Sequence, residues 1–205
     1  MAQKLFSLVA FLLFTIFVSA QEHFYYYKGE KIALTLNTQR VNVRVAADFD
    51  SLTIANLGFK LSNFHEDKLI ENTFFGEIDF NNTNYTSSIE NLKEIEGIIG
   101  IFPHFQKNKD KSIGTSDIFY VKLKNIEDFN ILQQTILNKG GKIEMQVPYM
   151  PEWYIISVDD LNLGTAMSLS NEFYETGLFE DIDPAFMFNF TPTCSNDPMF
   201  GSFGG

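Results

Sequence analysis

Residues 117–158 read DIFYVKLKNIEDFNILQQTILNKGGKIEMQVPYMPEWYIISV. DIFYVKLK (117–124) has the β-branched and aromatic character of a strand. Asn125 can cap a following helix, in which Phe129, Leu132 and Ile136 recur on one stripe. Gly140 and Gly141 stop that helix. KIEMQV and WYIISV then form two strands around the turn from Pro148 to Pro151. Downstream, residues 162–176 carry Ala166, Leu169 and Phe173 at helical spacing. Gly177 closes that helix, and LFEDIDPAFMFNF (178–190) is a last strand. The order is β-α-β-β-α-β, so the expected class is α+β, with a ferredoxin-like unit whose two helices cover one face of a four-stranded antiparallel sheet.

Working outward, HFYYYKGEKIALTLNTQRVNVRV (23–45) reads as three strands: Phe24–Tyr27, Ile32–Leu36 and Val41–Val45. Lys28-Gly29-Glu30 and Asn37-Thr38-Gln39 are the expected turns. Val41, Val43 and Val45 alternate as one buried face. SSIENLKEIEG (87–97) has the spacing of a helix, with Ser87 and Glu90 as a capping box, Ile89, Leu92 and Ile95 on one face, and Gly97 at its end. IIGIFPHF (98–105) follows as a strand. EIEGIIGIFPHF (94–105) parallels YETGLFEDIDPAF (174–186) in its helix-ending glycine, apolar pair and strand proline, so the chain holds one such unit or two in tandem. The expected divisions are N-terminal strands over 21–40, a first α+β unit over 41–112, a ferredoxin-like unit over 113–190 and a linker over 191–205. The polar segment QKNKDKSIGTSD (106–117) serves as the boundary between units.

The first twenty residues form a signal-peptide pattern: Lys4, an apolar run from Leu5 to Val18, then small residues. Cleavage is expected between Ala20 and Gln21, with export to follow. The run is too short to span a bilayer comfortably. A formal charge of −11 excludes general affinity for nucleic acid. Twenty-two phenylalanines supply a core without disulfides, because Cys194 is the single cysteine. Cys194 lies in the polar run TPTCSN with no histidine near it in sequence, which argues against a nucleophile.

Other chemistry is sparse. Gly114-Thr115-Ser116 resembles a subtilase nucleophile run, but it precedes a strand and reads as linker. His23, His65 and His104 are scattered, and no metal-ligand or phosphate-loop spacing occurs, so no metal or cofactor is expected. Asn81, Asn84 and Asn189 begin Asn-x-Thr sequons. Trp153 and the aromatics Phe24–Tyr27 suit packing better than a sugar platform.

The two ends carry a family resemblance. FYYYKGEKIALTLNTQRVNVRV resembles the start of the prosegment region in bacterial subtilisin-like serine proteases. GLFEDIDPAFMFNFTPTCSNDPMFGS is similar to the junction there between prosegment and catalytic domain, where Asn-Asp-Pro-x-Phe opens the catalytic domain. Asn196, Asp197, Pro198, Met199 and Phe200 match that opening, and the triad has no counterpart. The resemblance implies a non-enzymatic prosegment-like domain, partnered by a subtilisin-like catalytic domain as chaperone or inhibitor, or left as a truncated remnant. It implies a cleft-binding tail of Phe186, Phe188, Phe190, Thr193 and Cys194, with processing near Cys194 and Ser195. The alternative is a secreted interaction or adhesion module without a protease partner.

Overall fold

The computed structural model describes residues 23–67, 69–81, 83–108, 111–158 and 164–187. The described residues form a mixed α/β structure with a nine-stranded sheet and four α-helices. Strands β1 (His23–Tyr27) and β2 (Glu30–Ala46) form a hairpin; α1 (Leu52–Asn56), β3 (Lys60–Glu66), β4 (Thr73–Asp79), α2 (Tyr85–Lys93) and β5 (Ile98–Asn108) follow. The second half runs β6 (Lys111–Lys122), α3 (Phe129–Lys139), β7 (Lys142–Gln146), β8 (Trp153–Ser157), α4 (Thr165–Glu175) and β9 (Asp181–Met187). The main path is β3-β4-β2-β5-β6-β8-β7, with β1 beside β2 and β9 beside β6. Each described strand pair is antiparallel.

Each half has its own apolar core. Val41, Val43 and Val45 point from β2 onto Ile54 of α1 and Ile89 and Leu92 of α2. In the second half Phe119, Leu132, Ile156, Leu169 and Phe173 close together. Phe173 stacks on Phe179 at 5.5 Å and meets Phe119 edge-on at 5.3 Å, geometries that suit the ring quadrupole. The stripes expected on α3 and α4 therefore face inward: Leu132, Ala166, Leu169 and Phe173 are buried, with Phe129 and Ile136 packed beside them.

Three local expectations are corrected. Asn37-Thr38-Gln39 is not a turn between strands. β2 continues through it, and the extra residues are absorbed as a shift in register against β5 between Asn37 and Val41. The helix near residue 87 starts earlier, because Asn84 is its N-cap and accepts a bond from the Ser87 amide at 3.1 Å. The polar segment 106–117 is mostly strand, with β5 and β6 pairing as neighbours from His104–Gly114 to Asn108–Lys111. Thr115, Ser116 and Asp117 in it are buried and are not solvated linker. Several turn into a buried seam.

Gly114 sits where that seam is tightest. A Cβ there would stand 2.2 Å from Asn42 Nδ2 and 2.9 Å from His104 Nε2. Gly114→Ala should therefore lose about 1–3 kcal/mol by overpacking, read as a lower midpoint in urea unfolding. An unchanged midpoint would mean that the seam is loose.

The β1 hairpin ties the halves together. Tyr26 stacks on Tyr174 of α4 at 4.1 Å, and its hydroxyl donates to Glu175 at 2.9 Å. Asn171 Nδ2 donates to the Phe24 carbonyl at 2.8 Å, while Tyr25 packs edge-on against Phe186 of β9 at 4.8 Å. The aromatics at 24–26 are thus packing residues within the molecule.

Candidate functional site

The strand VNVRV of β2 is buried on both faces. Its valines face the helices, and Asn42 and Arg44 face Thr115 and Asp117 in the middle of β6. Arg44 is 4% exposed. Its guanidinium pairs with Asp67 at 2.6 Å and with Asp117 of β6, and lies over the rings of Phe75 and Phe102. One cation thus binds three segments: β2, the turn after β3, and β6. Burial alone pushes the Asp67 carboxyl up. Hydrogen bonds from Arg44 and from the Leu69 and Ile70 amides, with the arginine's charge, outweigh this and hold it below the usual carboxylate range. Arg44 Nε and Asp117 Oδ1 are buried and, among the described residues, find no hydrogen-bond partner.

A second polar group lies alongside. Asn42 Nδ2 donates to the Thr115 carbonyl at 2.8 Å, which turns its Oδ1 toward His104 Nε2 at 2.6 Å. That contact requires the proton on Nε2, leaving Nδ1 to accept from the Ser112 hydroxyl at 3.3 Å. Ser112, His104 and Asn42 therefore form a hydroxyl–imidazole–amide chain, an arrangement that nucleophilic catalysis also uses. Here the imidazole is a poor base. Burial drives its pKa down to about 4, helped by Arg40 and opposed by Glu77 and Asp79. Arg40 itself pairs with Asp79 at 2.5 Å and Glu77 at 3.1 Å.

Sequence reasoning brings none of these residues together. Read along β2, Asn42 and Arg44 look like the solvated side of a half-buried strand. Gly114-Thr115-Ser116 is corrected from linker to the interior of β6, where Thr115 and Ser116 are buried. His65 is exposed on β3, and His23 packs on Phe105 at 5.3 Å. Two sequon asparagines already serve the fold: Asn81 Nδ2 donates to the Gly58 carbonyl at 2.7 Å, and Asn84 caps α2. Of the expected tail, Phe186 lies in β9 against Tyr25. Phe188, Phe190, Thr193, Cys194 and Ser195 fall outside the described residues, as do Ala20 and Gln21. Among the described residues, no group of three His, Cys, Asp or Glu side chains is placed to hold a metal. Nor is any helix there long and apolar enough to cross a membrane.

The sharpest outward feature lies between β7 and β8. Tyr149 is fully exposed, flanked by Pro148, Met150 and Pro151, and its φ is +63°. The loop is held by bonds from Met150 N to Val147 O, Trp153 N to Met150 O and Val147 N to Trp153 O, at 2.8–3.1 Å. Gln146 Nε2 adds a bond to the Pro151 carbonyl at 2.7 Å. Met145 and Met150 are exposed on the same hairpin.

Similarity to known proteins is thin. No protein-family model and no curated protein matches the chain. A match among solved structures is the small subunit of acetolactate synthase from Thermotoga maritima, at 16% identity, covering 74% of this chain and 97% of that one. Its TM-score is 0.28, too low to carry an argument about function. These findings overturn the resemblance to a subtilase prosegment: the matched structure is not one, and no subtilase is found. The protease partner, the cleft-binding tail and the truncated catalytic start go with it. The signal peptide and its cleavage point fall outside the described residues, and the comparisons lend export no support.

Proposed function

We propose that the chain is a non-catalytic binding module made of two ferredoxin-like units in tandem, which engages a protein partner through the β7–β8 tip. The strand orders β3-β4-β2-β5 and β7-β8-β6-β9 support the two units, since each places the third strand between the first and second and the fourth beside the first. The observation that carries the function is Tyr149. A non-glycine residue at positive φ costs about 1 kcal/mol, and a fully exposed ring repays nothing within the chain. Two prolines and four hydrogen bonds hold the loop in shape, so little entropy remains to be lost on docking. A rigid tyrosine with the exposed Met150 next to it fits an apolar pocket on another protein. The polar chemistry of the interior serves to fasten the halves together.

Placing a photoreactive residue at Tyr149, and separately at the exposed Leu52 of α1, tests this reading. A protein adduct specific to position 149 is expected in an extract of the source organism. Unlabelled wild type should compete it away, and Tyr149→Ala with Met150→Ala should not. Equal adducts at both positions, or none at 149, would overturn the tip as the contact. A fluorophosphonate probe should leave Ser112 unmodified. Labelling of Ser112 that disappears in His104→Ala would overturn the non-catalytic reading.

A further inference from the structure

Tyr149 does not stand alone at its end of the sheet. β6 and β7 end there, and β8 and β9 begin there: Lys122 pairs with both Trp153 and Asp181, and Gln146 pairs with Tyr154. Three loops, 123–128, 147–152 and 176–180, therefore share one pole. Hydrogen bonds set them side by side. Leu123 N donates to Glu152 O at 2.8 Å, Glu180 N to Lys122 O at 2.9 Å, and Lys124 Nζ to Gly177 O at 2.6 Å. Each loop exposes a large apolar side chain: Ile126, Tyr149 with Met150, and Leu178. From β7 to β9 the pole is three strand spacings wide, about 14 Å.

We propose that this pole is one docking surface, and that its partner is a different protein carrying basic residues around an apolar patch. The inference rests on the reading of Tyr149 as a contact and extends it. Two observations carry it. All three loops are pinned, so their apolar side chains are placed before docking. Beside the bonds that hold the tip, the Asn125 amide and Nδ2 both donate to the Asp128 carboxylate, at 3.1 and 3.0 Å, and the Leu178 amide donates to Thr176 Oγ1 at 3.2 Å. The second observation is charge. The three loops carry Glu127, Asp128, Glu152 and Glu180 against Lys124 alone. A two-fold contact with a second copy would set this surplus against itself, and like charges facing across an interface oppose association. A basic rim on another protein answers the surplus and speeds the encounter.

Photoreactive residues at Ile126 and at Leu178, compared with those at Tyr149 and Leu52 in the same extract, test the surface. One and the same protein should be joined from 126, 149 and 178, and not from 52. Raising the salt from about 0.05 M to about 0.5 M should cut each yield about tenfold. At low salt the full chain with Glu127→Lys, Glu152→Lys and Glu180→Lys should lose as much, and the matching triple glutamine variant about half as much on a logarithmic scale. The glutamine variant carries the test if the lysine variant fails to fold. An adduct from 149 alone would overturn the shared surface and leave the tip standing. No adduct from any of the three positions would overturn both. Yields indifferent to salt and to the charge variants would overturn the basic partner. Adducts of the chain with itself would make the pole a self-contact and overturn the proposal as well.

Discussion

Arg44→Ala should unfold at markedly lower urea, with a loss of about 3–5 kcal/mol, because it leaves two carboxylates buried without their cation. Asp67 and Asp117 sit at 11% and 10% side-chain exposure, so water replaces only part of what the guanidinium gives them. Most of the cost thus comes from two uncompensated charges, and less from the missing guanidinium's own packing. That distinction is testable in the same experiment. A triple variant, Arg44→Met with Asp67→Asn and Asp117→Leu, removes all three charges and keeps an acceptor for the Leu69 and Ile70 amides. It should recover most of the loss, since apolar replacement of a whole buried ionic group is often neutral. A triple variant no more stable than Arg44→Ala would mean that the seam depends on the charges themselves.

Acid should weaken the molecule through His104. Unfolded, the imidazole titrates near 6.5; folded, burial lowers it to about 4. Protonation therefore favours the unfolded chain. The stabilisation is complete above pH 6.5, is lost progressively as pH falls from 6.5 toward 4, and has a full size of about 3 kcal/mol. Asp67, held low, adds a loss of the same sign at more acid pH, below the ordinary carboxylate range. Asp183 acts in the opposite sense, because burial and the nearby Asp181 raise its pKa. Unfolding measured between pH 7 and 4 should show the slope in wild type and a flatter profile in His104→Gln, which cannot take up the proton. Parallel profiles would remove His104 as the cause.

The second half of the fold is legible in the sequence for simple reasons. Its helices are eleven residues long, its apolar stripes have one period each, and glycines mark the ends. The first half is harder. Helix α1 has five residues and no side-chain cap bond, too short to show a period. β2 hides its irregularity inside NTQ, a tripeptide that also makes good turns. The seam is the least legible part. Alternation along VNVRV tells which residues share a face, and it is silent on whether the polar face meets water or another strand. Arg44, Asn42 and His104 come from two strands of the first half, and they meet Thr115 and Asp117 from the second. No local pattern announces that meeting. The terminal motifs misled because a five-residue match such as Asn196–Phe200 constrains little.

The aromatic hairpin at the start of the chain sets the timetable for assembly. Tyr26 finds Glu175 across 149 residues, and the Phe24 carbonyl finds Asn171 across 147. On the ribosome β1 can pair with β2 early, but its contacts with the second half must wait until α4 has emerged. Until then the faces of Tyr25 and Tyr26 that Phe186 and Tyr174 cover stay open, a transient stickiness that favours helpers or rapid completion. The clasp closes last, and it can close only on a finished second half.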